Sequence, residues 1–163
     1  MNGLEPDSQH SEHKDFFPDA AMLEQWGERF ARLLRPGMLV ALRGDLGAGK
    51  TTLARAMLRA LGVTGRIKSP TYALLETYNV SSLYLYHFDF YRIKGPSELE
   101  DAGFRDCFSG AGLCFVEWPE RAGRWLPVPD ITLTLFVEDA GRTLTVTADT
   151  DLGRECLDRL YNA

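Results

Sequence analysis

The sequence predicts an α/β domain, a mixed and partly parallel sheet flanked by helices in three layers. Three observations carry that expectation. A short apolar run, MLVAL at 38–42, is bounded by turn residues and passes straight into glycine-rich sequence, as a strand inside a parallel sheet does. KTTLARAMLRAL at 50–61 then takes up helical periodicity, so strand, loop and helix make the first half of an α/β unit. Further apolar or alternating stretches, separated by turn residues, supply the rest of a sheet.

In chain order, residues 1–15 are polar and without periodicity and are expected to be a flexible tail, leaving 16–163 as a single domain. His10 and His13 lie three apart, but with no further ligand nearby they read as solvent-exposed histidines and not as a metal site. From 18 to 34 the apolar residues Met22, Leu23, Trp26, Phe30, Leu33 and Leu34 recur at helical spacing, with Asp19 as cap and Pro36-Gly37 as stop. YALLETY at 72–78 and LYLYHFDFYRI at 83–93 read as two strands joined by a short turn. SELEDAGFRDCF at 97–108 reads as one short helix, with Ser97 and Glu100 in a capping box. GLCFV at 112–116 is a buried strand, and PERAGRWL after it is a loop or short helix. ITLTLFVE at 131–138 and RTLTVTAD at 142–149 make a hairpin, and GRECLDRL at 153–160 closes the chain with a helix.

Size and composition limit what such a domain does. At 163 residues and 18.3 kDa the chain buries a real core but has no room for a second substrate domain of ordinary size. It has no apolar stretch long enough to span a membrane, and its opening residues lack a basic region followed by an apolar core, so the expected compartment is the cytoplasm. Cys107, Cys114 and Cys156 are odd in number and widely spaced, which fits neither a disulfide framework nor a metal cluster; Cys114, inside LCFV, reads as a small buried hydrophobe. A net charge of −5 gives no general attraction to nucleic acid. Arg55, Arg59, Arg66 and Lys68 nevertheless fall close together, either as a solvated face or as a patch for RNA or an acidic partner.

The chemistry centres on GDLGAGKT at 44–51, which matches G-x-x-x-x-G-K-[ST] with a buried strand before it and a helix after it. This makes the fold P-loop NTPase-like. Gly44, Asp45, Leu46, Gly47, Ala48 and Gly49 would turn backbone N–H groups inward around a β-phosphate at the positive end of the helix. Lys50 would reach the β- and γ-phosphates, Thr51 would ligate Mg²⁺ and Thr52 would bond the α-phosphate. The ligand read here is Mg·ATP, with Mg·GTP disfavoured because no N-K-x-D segment is present to read guanine.

Hydrolysis in this class needs further parts. Glu117 directly follows LCFV, where a carboxylate for the Mg²⁺ shell belongs; the alternative is a strand-end salt bridge. Asp89 interrupts an aromatic strand and is either a site carboxylate or the structural partner of Arg92. Thr71, in Ser69-Pro70-Thr71, sits where switch loops carry a γ-phosphate sensor, or is a simple turn hydroxyl. His87 is a packed residue or part of the site's hydrogen-bond network. Trp118 is core or pocket wall, and Trp125 is core or an interface anchor. No arginine is identifiable as a finger, so a partner is expected to complete the site.

These residues resemble a known family, the bacterial TsaE proteins (older name YjeE). The matching elements are GDLGAGKTTLAR at 44–55, KSPTYALLETY at 68–78, YHFDFYRI at 86–93, ELEDAGFRDCF at 98–108 and VEWPERAGRWLP at 116–127. The order and intervals of SPTY, HFDFYR and VEWPE are far more specific than the P-loop alone. The resemblance implies a P-loop ATPase, weak by itself, that works with the TsaD and TsaB proteins in making N6-threonylcarbamoyladenosine in tRNA. By matching position, Lys50 and Thr51 would be the phosphate lysine and the Mg²⁺ threonine, Glu117 the metal-site glutamate, and Asp89 and Thr71 further catalytic positions on a switch-like loop. ATP turnover would reset or regulate the complex, because a separate enzyme makes the threonylcarbamoyl-adenylate; tRNA contact through the basic patch would be indirect or weak. One position departs from the family pattern: Leu23 stands where the family usually has a threonine near the bound base.

Two rival readings differ in kind. A small-molecule kinase would need an arginine-rich lid, for which the chain has no insertion. A nucleotide-gated docking module would use ATP to order the SPTY loop, with hydrolysis incidental.

Overall fold

The computed structural model describes residues 11–162. Its centre is a sheet of order β1-β7-β6-β2-β5-β4-β3. Strand β2 (Leu39–Gly44) lies parallel to β5 (Leu113–Glu117) on one side and to β6 (Ile131–Glu138) on the other, and β4 (Leu83–Asp89) lies parallel to β5. The remaining pairings are antiparallel: β3 (Leu75–Val80) with β4, β7 (Gly141–Ala148) with β6, and β1 (Ser11–Phe17) with β7.

Alternation along the central strands divides their side chains between two cores. Val40, Leu42, Leu85, Leu113 and Phe115 face α1 (Ala20–Ala31), α2 (Lys50–Ala60) and α5 (Asp151–Tyr161). Leu39, Phe88, Cys114 and Val116 face α3 (Ser97–Asp101), α4 (Asp106–Ser109) and the 3-10 helix at Pro119–Trp125. The result is the expected three-layer α/β architecture. A strand covered on both faces must be apolar at every position, which is why MLVAL and LCFV read as unbroken runs and not as alternations.

Asp19 caps α1 as expected, its carboxylate accepting from the Met22 N–H at 2.9 Å. At the other end of the chain Thr150 caps α5 through the Gly153 N–H at 3.0 Å. No helix among the described residues is long and apolar enough to cross a membrane. Cys114 is buried, and burial pushes its thiol up to about 12, as suits an inert hydrophobe.

Three expectations need correction. The flexible tail does not extend to residue 15: Ser11–Phe17 forms β1, in register with Arg142 to Ala148 of β7. Polar alternation in SEHKDFF is what a strand shows when one face meets solvent, and its anchors come from remote sequence. His13 stacks on Tyr161 at 3.9 Å, and the Tyr161 hydroxyl donates to Asp15 at 2.7 Å. Residues 1–10, His10 among them, lie outside the described part. Second, the helix expected over 97–108 is two short helices broken at Gly103, whose φ of +72° ends the first turn. Third, the Ser97–Glu100 capping box does not form. Pro96 holds the cap position without a side-chain bond, and Glu100 instead pairs with the Arg105 guanidinium.

Candidate functional site

The candidate side chains gather at the carboxyl ends of β2, β4 and β5, the end at which open α/β sheets place their ligands. In the register of these parallel strands Asp89 lies beside Glu117, and Glu117 beside Leu42, two residues before the loop begins at Gly44. Gly44 has φ +146°, and a Cβ there would stand 2.7 Å from the Leu135 carbonyl oxygen, so β6 presses on the loop at a point only glycine tolerates. The loop ends at Gly49, which precedes the first turn of α2.

A cleft of about 390 Å³ opens over this end of the sheet. Leu46, Gly47, Gly49, Lys50, Thr51 and Thr52 form one wall, and Thr71, Asp89, Tyr91, Arg92, Glu117 and Trp118 form the rest. The structure thus brings Lys50, Thr51, Thr52, Thr71, Asp89 and Glu117 together from four separate stretches of chain.

Lys50 is buried, its ammonium donating to the carbonyls of Gly44 at 2.6 Å and Asp45 at 2.9 Å and lying 4.3 Å over the Trp118 ring. Desolvation lowers its pKa, opposed first by the charge of Glu117 and then by Asp89. Trp118 is therefore pocket wall; its left-handed φ of 56° turns the chain away immediately after Glu117. Trp125 belongs to the second core, against Phe90 and Phe108.

Glu117 is 2% exposed and uses both oxygens: Oε1 accepts from the Thr51 hydroxyl at 2.7 Å, and Oε2 lies 2.7 Å from His87 Nε2. Asp89, also buried, accepts from the Tyr91 N–H at 2.9 Å and from the Thr71 hydroxyl at 3.2 Å; Thr71 in turn bonds Ser69 at 2.7 Å. Burial pushes the Asp89 carboxyl up and the neighbouring Glu117 charge adds to this, while the Tyr91 and Thr71 bonds pull it down. Asp89 is thus no partner of Arg92. That guanidinium stacks on Tyr72 at 4.4 Å and bonds its hydroxyl at 3.3 Å, on the rim of the cleft.

The oxygens of Thr51 and Glu117 are hard donors that already meet at 2.7 Å, beside a second carboxylate, that of Asp89, and a lysine, and they fit an Mg²⁺ that takes one or two protein oxygens and completes its shell with phosphate and water. Among the described residues no group of three or more His, Cys, Asp or Glu could hold a metal alone.

A second cleft of about 360 Å³ opens on the other side of the loop, sharing Gly47, Gly49 and Thr52 with the first. Phe17, Pro18, Leu23 and Ala48 give it apolar walls, and Arg142 closes it while donating to the Ala48 carbonyl at 3.1 Å. Arg92 and Arg142 were not assigned to the site from sequence. Arg92 carried a usable signal in its place three residues after Asp89, whereas nothing local connects Arg142 to residues 44–51, because a long-range strand pairing delivers it. In the basic patch Arg55, Arg59, Arg66 and Lys68 are all exposed; Arg55 and Arg59 also line a cleft with Glu24 and Glu28 of α1, and Arg59 donates to the Val63 carbonyl at 3.2 Å.

Comparison with known proteins bears on the family and the fold. The family model for the threonylcarbamoyl adenosine biosynthesis protein TsaE matches residues 17–144. The tRNA threonylcarbamoyladenosine biosynthesis protein TsaE of Haemophilus influenzae is 40% identical over 152 residues, covering 90% of this chain and 96% of that protein. Its namesake in Bacillus subtilis is 40% identical over 121 residues, covering 72% and 74%. A crystal structure of Bacillus subtilis YdiB superposes with a TM-score of 0.81 at 28% identity, covering 96% of this chain and 98% of that one.

Proposed function

This chain belongs to the TsaE family, and on that premise we propose how its residues share the work of binding and hydrolysing Mg·ATP in support of threonylcarbamoyl transfer to tRNA. The family is one of P-loop ATPases that are weak alone and act with TsaD and TsaB. The observation that carries the assignment of residues is the convergence of Lys50, Thr51, Thr71, Asp89 and Glu117 on one cleft at the mouth of the loop.

In this reading the backbone N–H groups of residues 44–51 surround the β-phosphate. Lys50 leaves the Gly44 and Asp45 carbonyls to meet the β- and γ-phosphates, a small displacement because those carbonyls belong to the loop itself. Thr51 and Glu117 would hold Mg²⁺, whose positive charge would offset the negative charge of the phosphate oxygens. Thr71 closes on the γ-phosphate, and Asp89, whose burial favours accepting a proton, orients the attacking water. Thr52 borders both clefts, so an α-phosphate near it directs the base into the apolar cleft between Leu23 and Arg142. There Leu23 offers packing where the family's usual threonine offers a hydroxyl.

Domain organisation follows the same reading: residues 11–162 act as one P-loop ATPase domain. Any tRNA contact would be indirect or weak and made through the exposed patch of Arg55, Arg59, Arg66 and Lys68.

Steady-state ATP hydrolysis by the purified chain, alone and then with TsaD, TsaB and tRNA, tests the assignment with Lys50→Ala as blank. Strong stimulation by the partners that disappears in the blank is the expected result. Tight ATP binding without stimulation would overturn the catalytic roles of Asp89 and Thr71 and leave a nucleotide-gated docking module.

A further inference from the structure

Among the described residues His87 is the one buried histidine, at 0% exposure, and none of the steps above uses it. It sits on β4 two residues before Asp89, opposite Phe115, on the sheet face that also carries Leu85 and Leu113. Its Nε2 lies 2.7 Å from Glu117 Oε2, and its Nδ1 has no partner, although Glu76 stands opposite on β3. Nε2 faces an acceptor, so the tautomer with its hydrogen on Nε2 satisfies the contact, and the other would point a lone pair at a carboxylate oxygen. A histidine placed only for packing would gain nothing from a site that leaves one ring nitrogen unpaired in an apolar surround. What this placement does accomplish is to fix the second oxygen of Glu117, so that the first points toward Thr51 and the cleft.

We propose that His87 is a positioning residue for the metal-site glutamate: its Nε2–H locks the Glu117 carboxylate in the orientation that, with Thr51, receives Mg²⁺. The inference rests on the assignment of Thr51 and Glu117 to the metal. Rigid neighbours hold the ring in place, since Phe115 flanks it in the ladder and Leu85 lies two residues before it on the same face. A free Glu117 side chain would sample other rotamers and lose metal affinity without any change at the phosphate loop.

The test is calorimetric binding of ADP to the full chain in EDTA and across a Mg²⁺ titration, which reads the metal site without turnover. Melting temperature is followed in parallel. His87→Gln places an amide N–H near the position of Nε2, whereas His87→Leu fills the volume without a donor and His87→Asn carries the amide on a shorter arm. The expected result is that ADP affinity in EDTA is unchanged in all three. The Mg²⁺ concentration for half-maximal enhancement should rise about 10–100-fold in His87→Leu and stay near the parent value in His87→Gln. A parent-like Mg²⁺ requirement in His87→Leu would overturn the proposal. If that variant does not fold, equal Mg²⁺ requirements in His87→Gln and His87→Asn would overturn it. Glu117→Gln, run beside them, separates the two levels: if it too keeps the parent requirement, the metal assignment fails, and if it alone loses Mg²⁺ enhancement, only the role of His87 fails.

Discussion

Glu117→Ala and Glu117→Gln are expected to diverge, one in stability and the other in turnover. Truncation to alanine strands the His87 Nε2–H at a position with 0% exposure, and leaving a buried donor unpaired costs about 1–3 kcal/mol. The Thr51 hydroxyl adds little, because it is only half-buried and can bond water in the cleft. Loss of one buried methylene adds up to about 0.8 kcal/mol, and relief of the repulsion with Asp89 is offset by loss of the attraction to the buried Lys50 ammonium. The net cost stays at about 1–3 kcal/mol, which for a chain of this size lowers Tm by roughly 2–12 °C. Glutamine keeps both contacts: its oxygen accepts from His87 and its amide donates to Thr51, whose hydroxyl turns from donor to acceptor. Its Tm should therefore lie closer to the parent's than that of Glu117→Ala, while Mg²⁺-dependent ATP turnover falls by at least about 10-fold because the charge that faces the metal is gone. Scanning calorimetry in EDTA gives the first comparison and steady-state phosphate release the second. A parent-like Tm for Glu117→Ala together with parent-like turnover for Glu117→Gln would refute both the buried bond and the metal-site role.

Asp89→Asn should raise stability at neutral pH while lowering turnover. In the native state the Asp89 carboxyl holds its proton above its ordinary value of 3.8, so between that value and the raised one the folded chain binds more protons than the unfolded chain, and stability falls as pH rises. Asparagine keeps the Tyr91 and Thr71 contacts and removes that slope, which denaturant melts at several acid pH values would reveal; an Asn variant less stable than the parent at neutral pH would contradict the sign. Gly153→Ala tests a purely structural contact far along the chain from the cleft residues. A Cβ there would stand 2.0 Å from the Asp130 carbonyl oxygen, and that residue also accepts from the Leu39 N–H at 2.8 Å and the Thr150 hydroxyl at 2.6 Å. Displacing backbone on this scale should cost about 1–3 kcal/mol or more, seen as a lower Tm with ADP affinity at 25 °C unchanged; an unaltered Tm would show that α5 shifts freely.

Much of the nucleotide site was legible in the chain because its parts are local. GDLGAGKT needs only a strand before it and a helix after it, and both neighbours declare themselves by periodicity within a dozen residues. Glu117 and Asp89 were legible for a related reason. A carboxylate at the end of an apolar run is costly to bury without a purpose, and parallel strands that share a register bring their ends to one edge. Asp19 likewise announced its helix, since a cap bonds backbone only three residues away.

The tertiary structure decided what depends on distant partners. Whether SEHKDFF is a tail or a strand turns on an empty edge of β7 and on Tyr161, more than a hundred residues away, and local polarity is the same in either case. Glu100 was free to cap its own helix until Arg105 competed for it across the break at Gly103. The partner of His87, the stacking of Arg92 on Tyr72 and the arrival of Arg142 beside Ala48 are likewise set by sheet order and register. The sequence by itself therefore determined the chemistry the loop performs, because phosphate recognition is built from consecutive backbone groups. The fold alone decided how the carboxylates are held and charged, because burial and second contacts come from residues that meet only when the sheet is assembled.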